Sequence, residues 1–366
     1  MPLGYVLVAV CVTAALVAPR RPRGVGSAAF FLGVVVSELP QLAFLYLVGT
    51  TALALVEGDL RTVPGLVGVG VACLSTVALG EVARRGLHAR DAVREALRRA
   101  RVPVSPASFR SRWRGLVAPL PIRPRSVRRV RDLAYGPHRR QRLDVYRRDD
   151  VVAAPVLVYL HGGGYVSGGK HREGRALLHR LAARGWVCIS AGYRLRPDAD
   201  FVDHLHDATN VLAWAGRHAH EHGGDARTLA MAGSSAGAHL TALCALDPET
   251  GRRLGAAVCL YGYFGRYYGR PPDERPVSTP LGLDATSAPP VFVAHGDRDT
   301  YAPVEGARAF VRHLREGSSS PVVYAELPGG QHAFDLFASW RGAAVVDGVE
   351  RFLTHVTSPE AASCAS

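Results

Sequence analysis

The five residues Gly233-Ser234-Ser235-Ala236-Gly237 follow an apolar run that is typical of a buried strand, and they precede a run with helical periodicity. They match the pattern G-x-S-x-G, in which a sharp turn from strand to helix exposes the side chain of the central serine. Gly233 and Gly237 flank the turn, where larger side chains would keep strand and helix apart. The pattern therefore predicts that Ser235 is a nucleophile. Ser234 is the alternative, but a motif centred on it would have alanine at both flanks.

A second glycine-rich motif, His161-Gly162-Gly163-Gly164, comes directly after an apolar run and well before the serine. Consecutive glycines leave backbone N–H groups unobstructed, and such groups stabilise the charge that develops on a carbonyl oxygen during acyl transfer, by roughly 3 to 4 kcal/mol per donor. We expect the N–H groups of Gly163, Gly164 and Ala236 to form this oxyanion hole. His161 is expected to order the loop and not to transfer protons.

The segment Ala294-His295-Gly296-Asp297-Arg298-Asp299 offers two candidate acids. We prefer Asp299, because it begins a D-x-x-x-P turn before a predicted helix, and we expect Asp297 to cap that turn. His332 lies in a glycine-rich loop after the last predicted strand and is the predicted base. The order Ser, Asp, His along the chain differs from that of chymotrypsin and of subtilisin.

Short β-rich runs alternate with helical segments after residue 126, and this alternation predicts an α/β domain with a mostly parallel central sheet and helices on both faces. The predicted strands are 143–146, 155–160, 187–191, 229–232, 257–260, 291–294 and 322–327. The predicted helices are 174–184, 203–220, 236–245, 304–316 and 338–355. The predicted catalytic domain covers 126–357, and a disordered tail covers 358–366.

Three apolar stretches, 3–18, 28–56 and 63–80, open the chain. A membrane helix needs about 20 apolar residues, so the second and third are predicted to span a membrane and the first is marginal. We therefore predict a membrane-anchoring helical region at 1–82. A buried helical hairpin of a soluble protein is the alternative.

Arginines crowd the segment after these stretches, and the net charge is +13. Because this basic segment directly follows apolar helices, it favours a role beside a membrane over binding of nucleic acid. Residues 83–125 are predicted to form a surface helix and a linker. The scattered cysteines form no CxxC pair, so no metal site is expected.

Charge also predicts the topology. Arg20, Arg21 and Arg23 precede the second stretch, Arg84, Arg85 and Arg90 follow the third, and Glu57 and Asp59 lie between the two. Positive charge marks the cytoplasmic side, so we predict a multi-pass protein of the cell membrane with a cytoplasmic catalytic domain. Glu38-Leu39-Pro40 interrupts the second stretch and could split it into two short segments that enter the membrane without crossing it. In this alternative there is one crossing fewer, and the catalytic domain lies outside.

The chain from about 130 to 356 resembles the hormone-sensitive-lipase-like group of esterases and lipases. The resemblance rests on HGGGY at 161–165, GYRLRP at 192–197, Asp207, the GSSAG elbow and HAF at 332–334. It implies the α/β-hydrolase fold and hydrolysis of carboxylic esters. The acid segment departs from the group's usual Asp-Pro-Leu, and the elbow is also similar to that of arylformamidases and small feruloyl-type esterases. The N-terminal stretch resembles the membrane-anchored lipases of the group.

We accordingly predict a serine ester hydrolase that acts through an acyl-enzyme on Ser235, on small-molecule or lipid esters with a short to medium acyl chain and without a cofactor. Arylformamidase, amidase or acyltransferase activity on the same fold is an alternative, and an inactive membrane scaffold is a second. The sequence leaves the oligomeric state open. It also leaves open whether the tyrosines and Phe264 at 261–268 line a pocket or fill a core.

Overall fold

The computed structural model describes residues 3–17, 23–104, 120–271 and 273–358. Arg20 and Arg21, most of the predicted linker and all but the first residue of the predicted tail lie outside these ranges.

An eight-stranded sheet forms the centre of the molecule, in the order β1-β2-β4-β3-β5-β6-β7-β8. The strands are β1 (Arg128–Ala134), β2 (Arg142–Arg147), β3 (Ala154–Leu160), β4 (Val187–Ala191), β5 (Gly224–Ser234), β6 (Ala256–Leu260), β7 (Val291–Gly296) and β8 (Val322–Leu327). Only the pairs β1–β2 and β2–β4 are antiparallel, and the other pairs are parallel. This topology confirms the predicted fold class. Strand β1 was not predicted, because this exposed edge strand is charged and lacks a regular alternation of apolar residues.

The described α-helices are α1 (Leu3–Val17), α2 (Arg23–Glu38), α3 (Pro40–Val56), α4 (Val63–Arg99), α5 (Arg175–Ala183), α6 (Phe201–His218), α7 (Ala236–Leu246), α8 (Pro248–Gly251), α9 (Val304–Gly317) and α10 (Trp340–Val356). Helices from α4 onward cover both faces of the sheet. Side chains of α6, α7 and α9 share one buried core with the sheet, and side chains of α4, α5 and α10 share the other. The buried strands read as continuous apolar runs because both of their faces are covered.

Helix α4 corrects one expectation, since the amphipathic piece after residue 88 is not a separate surface helix. It is the C-terminal half of one 37-residue helix. Ala89, Val93 and Leu97 are fully buried in the core against β8 and α10. A Cβ on Gly348 of α10 would lie 2.4 Å from a methyl group of Val93, so the two helices pack closely. The core thus includes residues upstream of 126, and the predicted boundary at 82 falls inside α4.

The first three helices and the N-terminal half of α4 pack around a small apolar core of their own. Many of their outward leucine, valine and phenylalanine side chains are exposed. Among the described residues, α4 is the one helix that is by itself long and apolar enough to cross a membrane; Ser27–Glu38 and Pro40–Val56 meet this criterion only together. Those two segments meet at a bend of 88°. The second apolar stretch is therefore not one straight helix, because Pro40 starts a new helix and cannot continue the hydrogen bonding of α2.

Candidate active site

Ser235 occupies the turn between β5 and α7, with φ 51° and ψ −115°. This conformation is rare for a residue with a side chain and persists only where the surroundings enforce it. A Cβ on Gly233 would lie 2.3 Å from the backbone of Gly237, and one on Gly237 would lie 2.1 Å from the carbonyl oxygen of Leu160. Backbone packing thus requires both flanking glycines. Ser234, the alternative nucleophile, is fully buried, whereas Ser235 is half-buried.

His332 connects Ser235 to Asp299. Its Nε2 lies 2.9 Å from Oγ of Ser235, and its Nδ1 lies 2.7 Å from Oδ2 of Asp299. A proton on Nδ1 is held by the carboxylate, which leaves Nε2 able to accept the serine proton. The structure thus brings the three predicted residues together in the predicted order.

The two acids of the β7 loop differ in their partners. Oδ1 of Asp299 accepts the backbone N–H groups of Tyr301 at 2.9 Å and Ala302 at 2.8 Å, so Asp299 itself caps the turn that we assigned to Asp297. That expectation was wrong because one carboxylate has two oxygens and serves both the turn and the imidazole. The Asp297 carboxylate instead accepts a backbone hydrogen bond from Gly329, and burial raises its pKa.

The glycine motif folds over the serine turn. Gly163 and Gly164 have φ values of 113° and 60°, a region that side chains disfavour. A Cβ on Gly162 would lie 2.9 Å from Cβ of Ser235, so the loop contacts the turn directly. Within the described part of the chain, the N–H groups of Gly163, Gly164 and Ala236 form no hydrogen bond. These amides are therefore available to an oxyanion beside Ser235.

His161 orders this loop. Its Nδ1 lies 2.6 Å from the carbonyl oxygen of Gly162, and its ring stacks on Tyr193 at 4.3 Å. The Tyr193 hydroxyl donates to the carbonyl oxygen of His161. Burial lowers the pKa of His161 to about 4, so the ring is neutral at pH 7 and donates from Nδ1.

Glu173 supports the same loop and was missed by the sequence analysis. Its buried carboxylate accepts the N–H of Gly162 at 2.9 Å. A single glutamate between a glycine motif and a helix forms no recognisable pattern. The sequence offered one indirect indication, because a buried Gly162 amide needs an acceptor, but it did not show which residue would supply it.

Asp335 lies in the same loop as His332 and connects this loop to its surroundings. Its carboxylate accepts the N–H of Gly174 at 2.9 Å and the hydroxyl of Tyr261, whose ring lies 4.8 Å from the ring of His332. Burial raises the pKa of Asp335 to about 6, and repulsion from Glu173 adds to this effect while the Tyr261 hydrogen bond opposes it. Asp335 thus joins the start of α5 to the aromatic support of His332.

Both ends of the histidine loop, residues 328–339, are tied to α2 through Arg341, which lies in the first turn of α10. Its Nη2 donates to the carbonyl oxygen of Pro328 at 3.0 Å, and its Nη1 donates to the Glu38 carboxylate. The hydroxyl of Ser339 also donates to Glu38, at 2.6 Å. Arg341 and Glu38 are buried.

Phe30 of α2 also reaches the site. Its ring lies 5.0 Å from that of Tyr301 and 6.3 Å from that of His332, in edge-on arrangements. Tyr301, two residues after Asp299, lies 5.4 Å from His332. No sequence pattern indicated this contact, because an apolar helix does not show which of its side chains face a distant loop.

The aromatic segment after β6 serves both of the roles that were left open. Phe264 stacks on Phe310 of α9 in the core, whereas Tyr261 contacts the ring of His332. Tyr268 is half-exposed, and its hydroxyl would lie 3.8 Å from a Cβ on Gly164. One side of the loop therefore fills the fold, and the other borders the glycine motif.

The arrangement combines a serine hydroxyl, an imidazole held by a carboxylate and unpaired amides, which are the parts needed for acyl transfer. In the described ranges, no three His, Cys, Asp or Glu side chains are placed to bind one metal ion.

Comparisons with known proteins agree with this chemistry. The BD-FAE family profile matches residues 143–258. The probable carboxylic ester hydrolase LipM of Mycobacterium tuberculosis is 35% identical over 97% of this chain and 93% of its own length. Esterase LipC of the same organism is 34% identical over 77% of this chain and 79% of its own length. Thermogutta terrifontis esterase 2, in a structure phosphonylated by sarin, shares the fold with a TM-score of 0.53 and 22% identity, over 60% of this chain and 91% of that one.

Proposed function

This chain belongs to the α/β-hydrolase family of carboxylic ester hydrolases that includes LipM and LipC, and from that premise we propose that it cleaves esters through an acyl-enzyme on Ser235. The family and the enzyme class predicted from the sequence are thereby confirmed. The observation that carries the proposal is the position of His332, within hydrogen-bond distance of both Ser235 and Asp299.

In the proposed mechanism, Nε2 of His332 takes the proton of Ser235 as Oγ attacks the ester carbonyl carbon. The N–H groups of Gly163, Gly164 and Ala236 hold the resulting oxyanion. The C–O bond to the alcohol then breaks, and His332 gives its proton to the leaving alkoxide. A water molecule, deprotonated by the same imidazole, releases the carboxylic acid and restores Ser235. The short to medium acyl length remains a prediction.

The N-terminal helices are proposed to anchor the enzyme in a membrane. The apolar half of α4 is the direct support, because it is long enough to span and its outward leucine and valine side chains are exposed. Arg84 and Arg85 lie on α4 near the catalytic domain, whereas Glu57 and Asp59 lie at the far end of the α3–α4 hairpin. By the positive-inside rule, the catalytic domain is cytoplasmic. A reporter that is active only in the cytoplasm, fused after residue 366, should be active, and a silent fusion at normal expression contradicts this orientation.

Labelling by a fluorophosphonate probe tests the catalytic proposal. The wild type and Ser234→Ala should be labelled and should hydrolyse p-nitrophenyl butyrate, whereas Ser235→Ala should do neither. Loss of a catalytic serine typically lowers kcat by about 10⁶-fold. A labelled Ser235→Ala variant with undiminished hydrolysis overturns the proposal.

A further inference from the structure

Helix α2 has two different faces. One face presents Phe30 to Tyr301 and His332. The other presents Phe31, Leu32 and Val35 outward, and Phe31 is 70% exposed. Phe31 lies at the edge of this outer face, since its ring is 5.3 Å from that of Phe30, whereas Leu32 lies about 200° around the helix from Phe30.

The direction of α2 follows from its neighbours. Helices α1 and α3 pack together, with a hydrogen bond of 2.8 Å between Tyr5 and Thr51, and α3 packs against α4. Each runs between the side of the catalytic domain and the far end of the bundle. Helix α3 has 17 residues and is therefore about 25 Å long, close to the thickness of a hydrocarbon core. Because α2 meets α3 at 88°, a membrane-spanning α3 places α2 along the membrane surface.

The end of α2 is held at this surface by its ion pair. A charged side chain inside the hydrocarbon is costly and needs a partner. Glu38 has its partners, Arg341 and Ser339, on the catalytic domain, so the bend between α2 and α3 lies where that domain meets the bilayer. In the catalytic mechanism, the leaving alcohol is next to His332, which protonates it. Phe30 therefore flanks the alcohol side of the ester, while Tyr268 borders the glycine motif on the other side.

We propose that α2 lies in the membrane interface and that Phe30 is a specificity-determining residue for esters whose long-chain alcohol resides in the bilayer. The ester group reaches Ser235 past Phe30 while the alkyl chain of the alcohol stays among the lipids. The inference rests on the proposed function, and it names the substrate class: membrane-resident esters of a long-chain alcohol. The same water-consuming cleavage releases the acid and leaves the alcohol in the membrane.

The test compares two esters of one acid, so that acylation forms the same acyl-enzyme. Ethyl butyrate is supplied in water, and hexadecyl butyrate is supplied in vesicles of phosphatidylcholine and phosphatidylglycerol that contain the full-length enzyme. The measured quantity is the ratio of kcat/KM for the hexadecyl ester to that for the ethyl ester, from released butyrate. Phe30→Ala should raise this ratio roughly 10-fold and Phe30→Trp should lower it by a similar factor, the size typical of changes in an apolar pocket.

Leu32→Ala is the matched control, because Leu32 is exposed and lies about 200° around the helix from Phe30. Its ratio should stay within about twofold of the wild type, as for most exposed positions. If Phe30→Ala is not labelled by the fluorophosphonate probe, its active site has not folded, and Phe30→Leu replaces it in the comparison. Unchanged ratios in the Phe30 variants, with normal hydrolysis of ethyl butyrate, overturn the inference alone. If the wild type hydrolyses neither ester, the proposed function fails and the inference fails with it.

Discussion

The carboxylate of Glu38 and the guanidinium of Arg341 form a buried ion pair across 303 residues of sequence. It joins the bend between α2 and α3 to the first turn of α10, directly after the loop that carries His332. Since Arg341 also binds the carbonyl oxygen of Pro328, the pair fixes the histidine loop at both of its ends.

Glu38→Ala should destabilise the enzyme and slow it, because the substitution leaves Arg341 buried without its counter-charge. Removing one partner of a buried pair costs about 3 to 5 kcal/mol. The measurement is the free energy of unfolding in detergent, together with kcat for ethyl butyrate. The double variant Glu38→Met with Arg341→Met should recover most of the stability, and a single variant as stable as the wild type would show that the pair holds nothing.

Asp299→Asn should lower kcat by about 10⁴-fold with little effect on folding, since the amide no longer holds the imidazole in the required tautomer. Asp297→Asn is the control and should retain most of the activity, because Asp297 binds Gly329 instead of His332. A dead Asp297 variant beside an active Asp299 variant would reverse the assignment.

Glu173→Ala should reduce kcat by roughly 10- to 100-fold while KM changes little, because a loosened Gly162 misplaces amides that act chiefly on the transition state. Glu173→Gln keeps an acceptor oxygen for Gly162 and should restore most of the rate. A change confined to KM would indicate that Glu173 shapes substrate binding and not the oxyanion loop.

Asp335 should make stability depend on pH. Its pKa in the folded enzyme is about 6, above the ordinary value of 3.8, so the unfolded chain loses this proton first as the pH rises. Below pH 4, the protonated carboxyl therefore makes its full contribution to the free energy of unfolding. This contribution declines between about pH 4 and 6, and above that range the free energy of unfolding is lower by on the order of 3 kcal/mol.

The checking experiment follows unfolding of the wild type and Asp335→Asn across this range. The stability of the variant relative to the wild type should increase from pH 4 to pH 6, because asparagine does not ionise. A difference that stays constant with pH would mean that Asp335 is not the titrating group.

Val93→Asp should prevent folding of the catalytic domain, because it places a charge in the core between α4 and α10, at a cost of several kcal/mol. Val152→Asp is the matched control, since the same change there falls on a side chain that is 87% exposed. The measurement is the fraction of each variant that is extracted by detergent and labelled by the fluorophosphonate probe. Equal yields of the two variants would show that α4 is not part of the catalytic core.

Among the described residues after 126, the sequence predicted every strand of the sheet except β1 and every α-helix longer than four residues, because buried strands and amphipathic helices leave local patterns. The proximity of Ser235, Asp299 and His332 could be predicted for a similar reason, since each occupies a turn with a recognisable motif. Glu173 and Asp335 were missed because their partners are backbone amides and a hydroxyl that only the fold brings near.

The N-terminal half shows a second limit of local patterns. Glu38 was visible as a break in an apolar stretch, but its partner Arg341 follows from no spacing. Likewise, the helical period of 89–100 indicated an apolar face without showing that β8 and α10 cover it.

Because α4 is unbroken, it connects the N-terminal helices to the catalytic domain as one rigid element. A continuous helix advances about 1.5 Å and turns about 100° with every residue, so the length of α4 sets both the height and the azimuth of the catalytic domain above the bundle. Inserting one residue near Gly80 would swing the catalytic face by more than a quarter turn and draw Phe30 away from Tyr301. Inserting seven residues would move the catalytic domain about 10 Å along the helix axis and would nearly preserve its rotation about that axis. The register of α4 must therefore agree with the contacts that α2 makes through Glu38 and Phe30, because both connect the bundle to the same catalytic domain.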